Sequence, residues 1–395
     1  MRIDSIHARS IFDTRGKPTI ETTLQGSTLK AVASVPSGKS TGSHEALELR
    51  DPDGGVATAI ANVEGEIARA LCARDFSSPE EIDQALIALD GTANKSRLGA
   101  NAILSVSIAA MRLAGLEAGV PLWSAISARA GTTPAAPRLY VNVMNGGVHA
   151  DFRLPFQEYI LVVEGLTSAA LPIAHAAFDK LGERLGDVPM GDEGGYAPTF
   201  SALDEPFEML DALVAEFPGT SIAIDAAASE LYRDGRYHLL DKSFAPDELA
   251  QVYRDIVTRF PMHSIEDPFA EDAASDFTAL TASIGQQVII VGDDLTVTNP
   301  ARIETAIEKK EINAVLIKPN QIGTVSEALR AVQMTHAAGW ATVCSHRSGE
   351  THDTFIADFA YGVGAHGIKA GGLGQRERLE KFERLVAIEN ELLRK

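Results

Sequence analysis

Six apolar runs in the second half of the chain end on ionisable side chains. Ser221–Ile224 leads to Asp225, His263–Ile265 to Glu266, and Val288–Val291 through Gly292 to Asp293; Ala314–Ile317 leads to Lys318, Ala341–Ser345 to His346 and Arg347, and Gly367–Ile368 to Lys369. One such residue is readily explained as a helix cap. Six in succession at the ends of buried strands are costly unless they are paired or bind something, and the C-terminal ends of parallel strands are where α/β barrels place their chemistry. Asp225, Glu266 and Asp293 offer three hard oxygen donors, which suit an octahedral Mg²⁺ and suit zinc poorly. A cation beside Lys318 would lower its amine pKa and let it act as a base. Arg347, Ser348 and Lys369 supply a fork, a hydroxyl and a point charge for an anionic group. Glu158, in Phe-Gln-Glu-Tyr, and Glu193, in Gly-Asp-Glu-Gly-Gly, add two carboxylates. A paired-carboxylate environment holds one acid protonated. A neutral-amine base, a metal to stabilise an enediolate and a protonated acid for a leaving hydroxyl together describe elimination of water next to a carboxylate.

The elements that must position these groups follow from periodicity. Val288–Val291, the amphipathic stretch Pro300–Lys310 and Ala314–Ile317 read as strand, crossover helix and parallel strand. A chain of 395 residues fits two domains, one of them a barrel of about 250 residues. The opening segment has short strand-like runs (Met1–His7, Thr19–Leu24, Ala31–Val35), then helix-like stretches at Val56–Ala70, Glu80–Leu89, Gly99–Leu116 and Pro121–Ala130. We read residues 1–130 as an α+β capping domain, 131–138 as a linker rich in Pro and Gly, and 139–395 as an α/β barrel. Gly38-Lys39-Ser40-Thr41 resembles the end of a phosphate-binding loop, but that motif needs a glycine at position 33, which is Ala.

The net charge of −19, from 35 basic and 54 acidic residues, opposes nucleic acid and anionic membranes, and no basic run relieves it. No apolar stretch of about 18 or more residues and no signal-like leader is read, so no membrane span is expected. Two cysteines do not make a disulfide framework, which points to a reducing cytoplasm; Cys344, inside an apolar run, reads as a small core residue.

The stretches around the site residues resemble the enolase family over nearly the whole chain. They are ARSIFDTRGKPTIE (8–21), VPSGKSTGSHEALELRD (35–51), LDGTANKSRLGANAILSVSIA (89–109), NVMNGGVHA (142–150), GDEGGYAP (191–198), SIEDPFAED (264–272), GDDLTVTN (292–299), LIKPNQIGT (316–324) and SHRSGET (345–351). The resemblance implies an α+β cap on a modified (β/α)8 TIM-type barrel whose second strand runs antiparallel. It implies that Asp225, Glu266 and Asp293 hold one Mg²⁺ tightly and that Ser40 helps bind a second with substrate. Lys318 would abstract the α-proton, and Glu193, coupled to Glu158, would assist departure of the hydroxyl with support from His346. His149 would lie on a lid near the phosphate, Arg347 and Ser348 would grip that phosphate, Lys369 would bind the substrate carboxylate, and Gln157 would join the substrate contacts. The implied activity is a Mg²⁺-dependent carbon-oxygen lyase (hydro-lyase) reaction, the reversible dehydration of 2-phosphoglycerate to phosphoenolpyruvate. The substrate would be a small anionic phosphorylated carboxylate, and the protein a cytoplasmic homodimer or multiple of dimers.

Three stretches look shorter than in typical members: after Arg50, between Glu158 and Glu193, and Ser229–Asp247, which corresponds to a lid loop. Ala370-Gly371-Gly372 and Gln375-Arg376 depart from the usual pattern after Lys369. Ala387 stands where an Arg commonly faces the residue matching Glu21 across the dimer, leaving Arg9 and Glu377 as another cross-subunit pair. These departures motivate an alternative: a paralogue performing the same half-reaction on a phosphonate or phosphinate analogue, as in phosphinothricin-type biosynthesis.

Overall fold

The computed structural model describes residues 1–39 and 42–393, so Ser40 lies outside the described residues. Three antiparallel strands, β1 (Ser5–Phe12), β2 (Pro18–Gln25) and β3 (Lys30–Ser34), form the cap sheet in the order β1-β2-β3. The first strand begins later than the apolar run Met1–His7 suggests. The Met1 ammonium instead donates to Phe76 O at 2.9 Å and Arg2 bridges to Asp75, which holds the first residues off the sheet. Helices at Ala57–Leu71, Pro79–Asp90, Ala100–Ala118 and Leu122–Ala130 follow near their expected positions; the first contains a π-turn at Val63–Ile67.

Ala100–Ala118 is buried on nearly all sides, and its Ala, Ser and Gly residues allow close approach to the sheet. Ser105 Oγ meets Thr22 Oγ1 of β2 at 2.6 Å. Contrary to the expectation of no such stretch, this helix is long and apolar enough to cross a membrane, with a mean hydropathy of 1.2. Its window is 78% buried against the rest of the protein, which makes it the core helix of the cap.

The barrel strands are β4 (Arg138–Asn145), β5 (Glu158–Val163), β6 (Thr220–Asp225), β10 (Met262–Glu266), β11 (Ile289–Gly292), β12 (Ala314–Ile317), β13 (Ala341–Ser345) and β14 (Gly367–Lys369). They close in the order β10-β11-β12-β13-β14-β4-β5-β6. Alternate residues, among them Tyr140, Ile160, Val162, Ala223, Ala314 and Leu316, fill the interior, while Val141, Leu161, Ile224, Val315 and Cys344 face the helix layer. The centre is therefore packed, and open chemistry is confined to the rim. β5 is antiparallel to both neighbours, as expected. Its reversal brings its first residue, Glu158, to the rim where the other strands end. Registers Asn145↔Glu158, Glu158↔Asp225 and Asp225↔Glu266 make one rung across four strands.

The segment expected to be a shortened lid contains a second small sheet, β7 (Tyr232–Arg233), β8 (Arg236–Leu239) and β9 (Lys242–Phe244). It is anchored by Tyr237, fully buried, whose hydroxyl accepts from Ala270 N at 3.0 Å. Residues 131–137 contain no regular element and lie on the helix Phe355–Gly362, where Ala135 N donates to Tyr361 O.

At the opposite rim, the imidazoles of His263 and His366 stack with centroids 5.2 Å apart and Nε2 atoms 2.9 Å apart. Arg138 reaches His366 Nδ1 at 3.4 Å and pairs with Glu164; Tyr140 meets His263 edge-on. Burial, then Arg138, pushes His366 down to about 4, and the same causes lower His263. Both sit below the ordinary value of about 6.5. The unfolded chain therefore takes up these protons first, and the stabilisation present above pH ~6.5 is lost as pH falls toward 4. His366→Gln should therefore lose less stability than the parent over that interval, by on the order of 2 kcal/mol in urea titrations. Equal losses in parent and variant would remove this linkage.

Candidate active site

Ten of the residues singled out from sequence line one cavity of about 20 Å³ at the rim: His149, Gln157, Glu158, Glu193, Asp225, Lys318, His346, Arg347, Ser348 and Lys369. Glu266 and Asp293 border it through their ion pairs. Lys369, the last residue of β14, is fully buried, and its Nζ lies 2.8 Å from Glu266, 3.1 Å from Asp225 and 3.4 Å from Glu158. Burial works against its charge, but these carboxylates outweigh that and hold it well above the usual lysine value. Burial and the neighbouring Asp225 push Glu266 well up.

Lys318 directly follows β12, and its Nζ sits 2.5 Å from Asp293. The lowered amine pKa expected of Lys318 presupposes a bound cation beside it. Burial acts to lower it, but the Asp293 carboxylate overrides burial and keeps the ammonium above its ordinary value. Asp293 is also held by Gln321 Nε2 at 2.8 Å. Asp267, at a left-handed φ of 41°, accepts from the backbone N–H groups of Asp293 and Asp294 at 2.9 and 2.7 Å, tying the end of β10 to that of β11. Asp294, half-buried, is pushed up to about 8 by its partial burial and by the neighbouring Asp293.

The three expected metal ligands stand on adjacent strand ends but are partitioned between two ammonium groups, Asp225 and Glu266 on Lys369 and Asp293 on Lys318. Among the described residues, the ligand atoms that converge within 4.8 Å are those of Asp267, Asp293 and Asp294, and, separately, Glu158 and Glu193 with a ring nitrogen of His346. All-carboxylate donors, with Glu266 disfavoured as an anion by its neighbours, fit a hard dication.

Glu158 and Glu193 titrate apart. Burial and the facing Glu193 hold Glu158 well above the usual range. Burial works against an ionised Glu193 too, yet the His149 ring, with Nε2 3.5 Å from Oε1, then His346, the facing Glu158 carboxyl and the Arg378 guanidinium outweigh it. The pair thus keeps one proton, on Glu158. Asn142 Nδ2 donates to Glu193 Oε2 at 3.2 Å, and Gln157 Nε2 to Asp225 Oδ2 at 3.2 Å.

Arg347 is buried and doubly bonded to Glu45 of the cap, at 2.9 and 3.0 Å, and also to Asn320. Ser348 Oγ accepts from Arg15 Nη1 at 3.2 Å, and Ser37 bridges Gly349, so the cap seats directly on this rim. Sequence reasoning did not single out Glu45, Asn142, Asp267 or Gln321, although each lies inside a quoted motif. It missed Arg378 altogether; the only signal was an arginine on the apolar face of the helix Arg376–Leu393.

Fold and cavity together define a capped β/α-barrel enzyme equipped to remove a proton beside an anionic group and to protonate a leaving group. Residues 3–126 match the family model "Enolase, N-terminal domain" and residues 134–395 match "Enolase, C-terminal TIM barrel domain". The chain is also 42% identical to the enolase of Methanopyrus kandleri over 417 aligned positions, spanning 99% of this chain and 96% of that protein. The chain belongs to the enolase family and is a carbon-oxygen lyase.

Proposed function

We propose that the protein interconverts 2-phosphoglycerate and phosphoenolpyruvate with Mg²⁺, using the residues gathered at the barrel rim. The observation that carries this reading is the placement of base and acid. Lys318 follows β12 and Glu158 opens β5, four strands apart in a closed ring of eight, hence across the barrel from each other. A substrate between them loses its α-proton to one face and its hydroxyl from the other.

In this reading Lys318 Nζ takes the α-proton, the electron pair left behind is held over the substrate carboxylate as an enediolate, and it then forms the C=C bond as the C–O bond breaks. The departing hydroxide leaves as water with a proton supplied from the Glu158–Glu193 pair. Asn142 fixes Glu193, and Lys369 and Arg347 face the substrate carboxylate and phosphate, with Ser348, His149 and Gln157 completing the contacts. Asp225, Glu266 and Asp293 would hold the Mg²⁺, which would supply positive charge to support the enediolate; with Asp293 engaged as a ligand, the Lys318 amine would lose the partner that keeps it charged. Ser40 is assigned to a second ion by family resemblance alone.

The phosphonate alternative rested on the shortened lid and on the altered flank of Lys369. That flank is used structurally: Gly372 N donates to Glu193 O at 2.8 Å and Asn142 N to Gly371 O at 3.2 Å. Lys369 still meets its three carboxylates, so the flank offers no reason for another substrate.

We also propose a cytoplasmic, glycolytic setting and a homodimer. Phe12, 71% exposed on β1, supports an interface there. Within this chain Arg9 pairs with Glu21 at 2.6 Å and Glu377 lies 3.6 Å from His352, so an Arg9–Glu377 contact would require rearrangement between subunits.

The test is the ultraviolet appearance of enolpyruvate from 2-phosphoglycerate with and without Mg²⁺, paired with thermal melting. Turnover that requires Mg²⁺ is expected, together with a melting temperature that rises with Mg²⁺, as mass action demands of an ion selective for the folded state. Stabilisation by Mg²⁺ without turnover would overturn the substrate, and neither effect would overturn the metal as well.

A further inference from the structure

Among the described residues Arg378 is the largest fully buried side chain, yet it forms no ion pair with a carboxylate there. Each of its five N–H donors is accounted for. Nε donates to Gln375 Oε1 at 2.6 Å, Nη2 to Ser348 O at 2.9 Å and Asp192 O at 3.2 Å, and Nη1 to Arg347 O at 3.2 Å and to His346 Nδ1. A guanidinium cannot give up a proton, so the imidazole nitrogen facing it must accept. The remaining ring nitrogen, His346 Nε2, then carries the hydrogen and points to Glu158 Oε1, 3.9 Å away. Gln375 fastens the arrangement by donating from Nε2 to Asp192 O at 3.1 Å, beside Glu193.

We infer that Arg378 is a positioning residue that locks His346 as a neutral Nε2–H donor, so that His346 orients the Glu158–Glu193 pair and the leaving hydroxyl without transferring a proton itself. Nδ1 is blocked by Arg378 and Nε2 is already protonated, so the ring has no free site to take up a proton. The proton that leaves with hydroxide therefore comes from the carboxyl pair. The consequence for catalysis rests on the proposed dehydration; the locked tautomer does not.

The experiment combines ¹⁵N-histidine NMR of the intact protein with kinetics. His346, assigned by His346→Gln, should show a neutral ring protonated at Nε2 that does not titrate between about pH 5 and 8. An Nδ1–H ring, or titration in that interval, overturns the inference, and this readout needs neither turnover nor a folded Arg378 variant. In kinetics, Arg378→Gln should lower kcat by about 10²-fold with KM little changed. His346→Gln/Arg378→Gln should be no slower than His346→Gln alone, because Arg378 acts through the ring. Additive losses would make Arg378 merely structural and overturn the inference. If the parent protein fails to turn over 2-phosphoglycerate while the ring stays locked, the substrate assignment fails and the tautomer stands.

Discussion

Replacing Lys318 by Ala is expected to abolish exchange of the substrate α-proton with solvent deuterium and to reduce kcat by about 10⁴-fold or more. The side chain directly follows β12, where strand register fixes its backbone, and its Nζ is the basic atom on that wall of the cavity. Lys318 N donates to Thr298 Oγ1 at 2.8 Å, a contact that any residue at this position keeps, so the variant should fold. Losing the amine leaves Asp293 still held by Gln321 and moves the effect from stability to chemistry. Mass spectrometry of substrate incubated in D₂O checks the exchange, and circular dichroism checks the fold. Deuterium uptake at a rate near that of the parent would mean that another group is the base.

Lys369→Met should act in the reverse order, destabilising the fold first. It removes the ammonium shared by Glu158, Asp225 and Glu266 and leaves three buried carboxyl groups facing one another. Removing one partner of a buried pair typically costs about 3–5 kcal/mol. The deficit has a characteristic pH dependence. Glu158 and Glu266, already held above the usual range, rise further without Lys369 and are protonated in the folded state at a pH where the unfolded chain is still ionised, so the variant regains stability relative to the parent as pH falls from neutrality. Urea titrations at several pH values read this directly. A variant within about 1 kcal/mol of the parent at neutral pH would show that the carboxylates are not stabilised by Lys369.

Much of this architecture was legible in the sequence because it is local. Apolar runs ending in Asp225, Glu266, Asp293, Lys318 and Lys369 marked the strand ends, and each strand end meets the same rim because parallel strands joined by crossover helices share a direction. What the sequence could not show were the partners. That Lys369 would settle among Glu158, Asp225 and Glu266 depends on barrel closure bringing β14, β5, β6 and β10 round one cavity. That Arg347 would meet Glu45 depends on docking of the cap, about 300 residues away in the chain. The lowered pKa expected of Lys318 depends on a bound cation; in the chain by itself the charge nearest to the amine is the Asp293 carboxylate, which keeps it raised. Arg378 was hidden because arginine on an amphipathic helix normally points to solvent, and only the fold reveals a helix face turned into the catalytic rim.

The rung that joins Asn145, Glu158, Asp225 and Glu266 gives the barrel something like a reading frame. Side chains alternate in and out along a strand, so deleting one residue within β6 would turn Asp225 toward the helices and present Ile224 to the cavity. Loss or gain of residues in the surface connections leaves that frame intact. Among descendants of such a chain, length should therefore drift in the loops and stay quantised in the staves.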